Sequence, residues 1–154
     1  MNIKSPIKIR EYKTEDKKQI VNLLRLNTPK YFAPEEEVDL IHYLDNEIEL
    51  YYVIEFENDI VGSGGINFAE NKTIGKIGWD ILHPDYQGKS LGTQLMEYRI
   101  DKLKSIESVQ RIMVRTSQVA YEFYEKKGFS LIKIVKDYWA KGFDMYNMEY
   151  NQRI

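Results

Sequence analysis

His83-Pro84-Asp85-Tyr86-Gln87-Gly88-Lys89-Ser90-Leu91-Gly92-Thr93 follows the strand-like run Trp79-Asp80-Ile81-Leu82 and precedes residues with helical spacing. A strand ends, a polar loop turns, and a helix begins on small residues. The first turn of such a helix has backbone N–H groups without partners and sits at the positive end of the helix dipole. Gly88, Ser90 and Gly92 keep side chains out of the way, and Lys89 adds a positive charge. That combination suits a phosphate or pyrophosphate. The same residues also suit a tight turn with an ordinary N-cap, so spacing alone leaves both readings open. A nucleotide P-loop is excluded: it needs a glycine six residues before the lysine, and that position is His83, followed by Pro84.

Outward from this junction the chain alternates short elements. Downstream, Gly92, Leu95, Met96, Leu103 and Ile106 fall on one helical face. Residues 111–115 read as a short strand with Ile112 and Val114 pointing one way, and Ser117 as the cap of a short helix over 119–127 that Gly128 stops. Residues 129–138 and 144–150 read as two strands joined at Lys141-Gly142. Upstream, residues 76–82, 60–68 and 51–56 form an antiparallel meander turned at Asn58-Asp59 and at Glu70-Asn71-Lys72. Ile7-Lys8-Ile9-Arg10 alternates as a strand. Thr14 before Glu15 and Asp16 marks a helix start with Ile20, Leu23 and Leu24 inside. Pro34 followed by three glutamates starts a second helix, with Val38, Ile41 and Leu44 as its buried face. The order is βααβββαβαββ, an α+β fold with a mixed, mostly antiparallel sheet flanked by helices.

Composition narrows the function classes. The 154 residues suit one domain over 1–154. Balanced charge, net −2, argues against nucleic-acid binding through overall charge. The absence of cysteine removes disulfides and every cysteine-nucleophile mechanism, and with only His42 and His83 a metal site is not expected. Residues 1–10 lack an apolar signal segment, and no apolar run approaches the roughly 18 residues of a membrane span. The expectation is a cytoplasmic protein with no membrane or nucleic-acid partner.

The run from His83 to Gly92 resembles the acetyl-CoA motif of the GNAT N-acetyltransferases, Arg/Gln-x-x-Gly-x-Gly/Ala, here Gln87-Gly88-Lys89-Ser90-Leu91-Gly92. Ser90 departs from the family's glycine, but a serine still permits a helix N-terminus. Downstream, Phe123-Tyr124-Glu125-Lys126-Lys127-Gly128-Phe129 is similar to the family's ending FYxxxGF. The order of elements resembles the family over essentially the whole chain. The resemblance implies a GNAT fold whose fourth and fifth strands splay apart around the pantetheine arm.

It also implies roles. The backbone over Gln87, Gly88, Lys89, Ser90, Leu91 and Gly92, with Thr93 beside it, holds the pyrophosphate. Ile81 and Leu82 pair with the pantetheine, and an N–H near Leu82 faces the oxyanion. Ser117 stands where the family often has a cofactor-contacting asparagine. Tyr124 is the acid that protonates the departing thiolate, while Tyr121 and Phe123 pack. The base is less defined. Lys76 stands where some members carry a glutamate. Asp80 is the nearest carboxylate, an acid in an apolar strand, which reads as a catalytic group or as a solvent-facing strand residue. His83 is a lesser candidate for the base and otherwise orients the turn. The acceptor is an amine of a small molecule or peptide, bound by Tyr31-Phe32-Ala33 and Tyr138-Trp139, with Asp80 and Asp144 making the pocket acidic. Without a cysteine for an acyl-enzyme, acetyl passes directly to the acceptor in a ternary complex. A homodimer fits the exposed edges. The alternatives are an acyl-CoA sensor without turnover and a protein-interaction module in which the junction is only a cap.

Overall fold

The alternation at Ile7-Lys8-Ile9-Arg10 forms the first strand of the computed structural model, which describes residues 7–151. Residues 1–6, and with them most of the stretch read for a signal segment, lie outside the described residues. The strands are β1 (Ile7–Glu11), β2 (Leu50–Phe56), β3 (Asp59–Ala69), β4 (Ile74–Leu82), β5 (Arg111–Thr116), β6 (Phe129–Ala140) and β7 (Phe143–Tyr150). The helices are α1 (Lys17–Leu26), α2 (Glu36–Asn46), α3 (Leu91–Lys104) and α4 (Tyr121–Lys126). The strands form one sheet in the order β1-β2-β3-β4-β5-β7-β6. Every neighbouring pair is antiparallel except β4 and β5, which run parallel. The mixed α+β sheet and the element order are those expected. No helix among the described residues is long and apolar enough to cross a membrane.

Local chemistry sets the turns. Glu57 and Asn58 both have positive φ, 49° and 71°, which twists the β2–β3 hairpin as the flanking strands require. The turn is therefore centred one residue earlier than Asn58-Asp59. Two caps and one buried face also differ from expectation. Thr14 opens a three-residue 3-10 turn, and the Asp16 carboxylate accepts the Lys13 N–H at 2.8 Å, so Asp16 takes the capping role. Ser117 does not cap α4 with its hydroxyl; its carbonyl accepts the N–H groups of Ala120 and Tyr121, and the helix starts at Tyr121. On α2, Val38 is 71% exposed and the buried face runs through Leu40, Tyr43 and Leu44, because Glu36 turns inward to accept the Ala33 N–H at 2.7 Å.

Two cores cover the two faces of the sheet. One gathers Leu91, Leu95, Met96, Ile100 and Leu103 of α3 and Tyr124 of α4 against Ile66, Ile77, Ile112 and Val114. The other gathers Ile20, Leu23 and Leu24 of α1 and Leu40, Tyr43 and Leu44 of α2 against Tyr51, Val53 and Ile81. Each buried aliphatic side chain contributes about 1.5–3 kcal/mol relative to exposure. Ile77 and Ile81 are four residues apart on one strand yet face opposite cores. The cause is a bulge: Gly65 pairs with Gly78 and Ser63 with Ile81, so Trp79 and Asp80 together face Gly64. Trp79 carries the extra turn, with φ +55°. The bulge reverses the alternation of β4 and turns Asp80 to the α3–α4 side.

Candidate active site

The parallel pairing of β4 and β5 begins at Ile74↔Arg111 and ends at Ile77↔Val114, although β4 continues to Leu82 and β5 to Thr116. Beyond that point β5 pairs only with β7, and β4 only with β3. The last residues of β4 therefore have no strand on their β5 side. The ladder with β3 alternates, and His83 donates its N–H to Val61. The Leu82 N–H and carbonyl are therefore turned toward the gap. The Leu82 carbonyl is taken by the Asn27 side-chain amide at 2.8 Å.

At the mouth of the gap, Gly88 (φ +78°) and Ser90 (φ +62°) are both left-handed, and α3 begins at Leu91 with no side-chain cap. The first N–H groups of α3 stay open as a result. Gly92 sets the closeness of approach: a Cβ there would lie 3.2 Å from Leu82 Cδ1 and 3.5 Å from Phe123. Leu91 is buried, while Thr93 and Gln87 are half-buried. The Gln87 amide donates to Asn27 Oδ1 at 3.3 Å and so faces α1. Lys89 is exposed, 5.5 Å from the Tyr86 ring centre. A loop with open N–H groups, a lysine and a glycine cradle fits a pyrophosphate, and an open strand edge fits an extended pantetheine arm.

Inside the gap, Tyr124 Oη donates to Asp80 Oδ2 at 2.6 Å, so a hydroxyl from α4 reaches β4 where the strands have parted. Arg99 of α3 donates to Asp80 Oδ1 and Oδ2, each at 2.6 Å. Arg99 is fully buried and also donates to the carbonyls of Gly65 and Leu95. The Asp80 side chain keeps 22% exposure, so it is neither sealed nor a free solvent-facing carboxylate. Burial, then the Asp80 charge, push the Tyr124 phenol well above its usual range, with Arg99 opposing. Burial works against the Arg99 charge, but Asp80 more than compensates and raises it. Arg99 was not among the residues singled out from the sequence. Its position between Leu95 and Leu103 on the apolar stripe of α3 was the available signal.

The remaining expected residues fall as follows. Ile81 is buried against α1 and α2 rather than in the gap. Ser117 is buried at the end of β5. His83 Nδ1 accepts the Asp85 N–H at 3.1 Å and holds the turn. Asp144 accepts the Asp137 N–H at 2.9 Å, so its carboxylate serves the β6–β7 turn. Phe32 stacks on Trp79 at 6.4 Å, and Trp139 Nε1 donates to the Thr116 carbonyl at 3.0 Å, which brings an aromatic from each expected acceptor loop against the bulge and the end of β5. Tyr121 packs on Tyr146 and Phe123 on Tyr124.

Residues 17–129 match the model of the Acetyltransferase (GNAT) family. An N-alpha-acetyltransferase of Sulfurisphaera tokodaii is 24% identical over 92% of this chain and 90% of its own length. The ribosomal-protein-S18-alanine N-acetyltransferase of Escherichia coli superposes with a TM-score of 0.78 at 18% identity, covering 96% of this chain and 95% of that one. An aminoglycoside 6'-N-acetyltransferase solved with coenzyme A superposes at 0.75 and 17% identity, over 96% of this chain and 99% of that one. At these identities the solved structures speak for the fold.

Proposed function

The chain belongs to the acetyltransferase (GNAT) family, and from that premise we propose that it moves the acetyl group of acetyl-CoA directly to an amine of a small molecule or peptide. The observation that carries the reading is the gap between β4 and β5, with an open helix start at its mouth and the Tyr124–Asp80 pair inside. In this reading the backbone of residues 87–92 holds the pyrophosphate, supported by Lys89. The edge of β4 at Leu82 lies along the pantetheine. The Leu82 N–H faces the thioester oxygen, whose negative charge grows as the amine attacks. Tyr124 is the proton donor to the departing sulfur, and Asp80 is the proton acceptor for the amine. With no cysteine in the chain, attack takes place in a ternary complex. The cytoplasmic location expected from the sequence goes with this reading.

The test has two stages. Acetyl-CoA is expected to raise the melting temperature, because a ligand that binds only the native state stabilises it. Thiol release is then followed with a peptide bearing a free N-terminal alanine and with kanamycin as an aminoglycoside, acceptors suggested by the names of the two structural neighbours, and with spermidine as a simple polyamine. Turnover with one of them, reduced in kcat by Tyr124→Phe with little change in KM for acetyl-CoA, supports the reading. A thermal shift without thiol release from any acceptor would point instead to an acyl-CoA sensor.

A further inference from the structure

We infer that Asp80 and Tyr124 act as one proton carrier with Arg99 as its positioning residue, so that the proton lost by the amine replaces the one Tyr124 gives to sulfur. The inference rests on the acetyl-transfer reading and goes beyond it by joining two roles that could otherwise be independent.

The geometry carries it. Asp80 Oδ2 receives both Tyr124 Oη and Arg99 Nη2 at 2.6 Å, and Oδ1 receives Arg99 Nη1 at the same distance. The two parallel bonds fix the plane of the carboxylate. Arg99 is fixed in turn by the carbonyls of Gly65 and Leu95. Tyr124 is 5% exposed and Arg99 0%, whereas the Asp80 side chain is 22% exposed. Among the three, Asp80 is the group an incoming amine can reach.

Charge then orders the events. At rest the trio holds one positive and one negative charge, with a neutral phenol. If Tyr124 released its proton while Asp80 was ionised, two anions would stand 2.6 Å apart with one buried guanidinium to offset them. Like charges at that separation, away from water, oppose such a state strongly. If Asp80 has first taken a proton, the tyrosine can release its own and be refilled at once.

The steps balance. As the N–C bond forms, the amine N–H bond breaks and its proton goes to Asp80. As the C–S bond breaks, its electron pair stays on sulfur, and sulfur takes the Tyr124 proton. Tyr124 Oη takes the proton from Asp80, and with an acceptor that arrives as the neutral amine the site returns to its starting protonation without outside acid or base. The charged group on each element facing the phenol is Asp80 from β4 and Arg99 from α3; Tyr51 of β2 and Tyr43 of α2 lie in the field of that pair.

Two measurements test it. In the first, 13C-labelled tyrosine is titrated in the folded protein, with Tyr124 identified by its loss in Tyr124→Phe. Asp80→Asn is expected to bring the Tyr124 titration down by about one pH unit or more; an unmoved titration overturns the coupling. In the second, kcat is compared for Asp80→Asn, Tyr124→Phe and the double variant, with the acceptor that turns over. Each single change is expected to lose about 100-fold, and the double change no more than the worse single one. Arg99→Lys is expected to retain more kcat than Arg99→Met, with KM for acetyl-CoA held within about twofold in both. Losses that multiply in the double variant overturn the relay while leaving acetyl transfer intact. Absence of thiol release from the unaltered protein overturns both.

Discussion

The Asn27 side-chain amide donates at 2.8 Å to the Leu82 carbonyl, tying the C-terminal end of α1 to the last residue of β4. The same amide donates to the Leu23 carbonyl, and its Oδ1 accepts from Gln87. One buried side chain thus joins a helix end, the strand edge beside the gap and the start of the turn toward α3. Because the Leu82 carbonyl is already engaged, the Leu82 N–H is the group of that residue left to meet a ligand. Asn27→Ala leaves two carbonyls without this donor and is expected to cost about 1–3 kcal/mol. It is also expected to raise KM for acetyl-CoA more than it lowers kcat. Urea denaturation and steady-state thiol release check the two parts. A fall in stability with KM unchanged would show that Asn27 braces the fold without shaping the gap.

Ser90 holds φ +62° at the start of α3, a left-handed backbone that costs a residue with a Cβ about 1–2 kcal/mol. Its hydroxyl caps no backbone N–H, and the one bond set against that cost is the exposed 3.3 Å contact it accepts from the Gln94 side-chain amide. Ser90→Gly is therefore expected to raise stability, by about 0.5–1 kcal/mol once the greater freedom of glycine in the unfolded chain is counted. Ser90→Val is expected to lower stability and to weaken acetyl-CoA binding, since a branched side chain stands beside the open N–H groups. Thermal denaturation with and without acetyl-CoA measures both. A Ser90→Gly protein that melts below the parent would mean that the bond from Gln94 to the hydroxyl outweighs the strain of the left-handed backbone.

The chemistry-bearing loop was legible in the sequence because its signal is local: small residues after a strand and before a helical stripe. The order of elements along the chain followed from the same kind of signal, since hairpin turns and the Gly128 stop are written in a few adjacent residues. The bulge at Trp79-Asp80 was not legible. Strict alternation puts Ile77 and Ile81 on one face, and only the register against Gly64 reveals the reversal. Arg99 was missed for a related reason. A charge on an apolar stripe has meaning only once its partner is known, and that partner lies 19 positions away on another element. Asp80 and Tyr124, read as separate candidates, proved to share a hydrogen bond that no spacing rule contains.

Gly64 makes that reversal possible and yields a sharp test. A Cβ at Gly64 would lie 2.8 Å from both Arg99 Nη1 and Asp80 Oδ1, and 3.1 Å from Arg99 Cζ. Neither group can withdraw, because the guanidinium is fully buried and each of its outer nitrogens holds a carboxylate oxygen. Gly64→Ala is expected to pry the ion pair apart and cost about 3 kcal/mol, the order found when a buried pair loses its partner. Activity is expected to fall through kcat, with KM for acetyl-CoA little changed, because Gly64 lies apart from residues 87–92, the loop proposed to hold the pyrophosphate. Melting temperature and steady-state kinetics decide it. Full activity in Gly64→Ala would mean that the Arg99–Asp80 distance is unimportant to turnover.

A second ion pair, Arg10 with Asp16, sets a pH dependence of stability remote from the gap. Arg10 donates to both Asp16 oxygens, at 2.8 and 2.9 Å, and also to Glu55, which links β1, β2 and the approach to α1. Burial alone would raise the Asp16 carboxyl, but the Arg10 guanidinium and the Lys13 N–H outweigh it and hold the carboxyl below its ordinary value. The native state therefore binds the Asp16 proton more weakly than the unfolded chain does. The resulting stability is fully present above the ordinary carboxylate value of about 3.9 and is lost as pH falls through the lower native value. Asp16→Asn is expected to be less stable than the parent by about 2 kcal/mol near neutral pH. The gap should close as the parent is taken below the ordinary carboxylate value and through the lower native one, because acid removes from it the same charge that the substitution removes. Denaturation curves of the two proteins across that range measure the difference. A gap that stayed constant with pH would assign the loss to the shape of the amide rather than to the charge of the carboxylate.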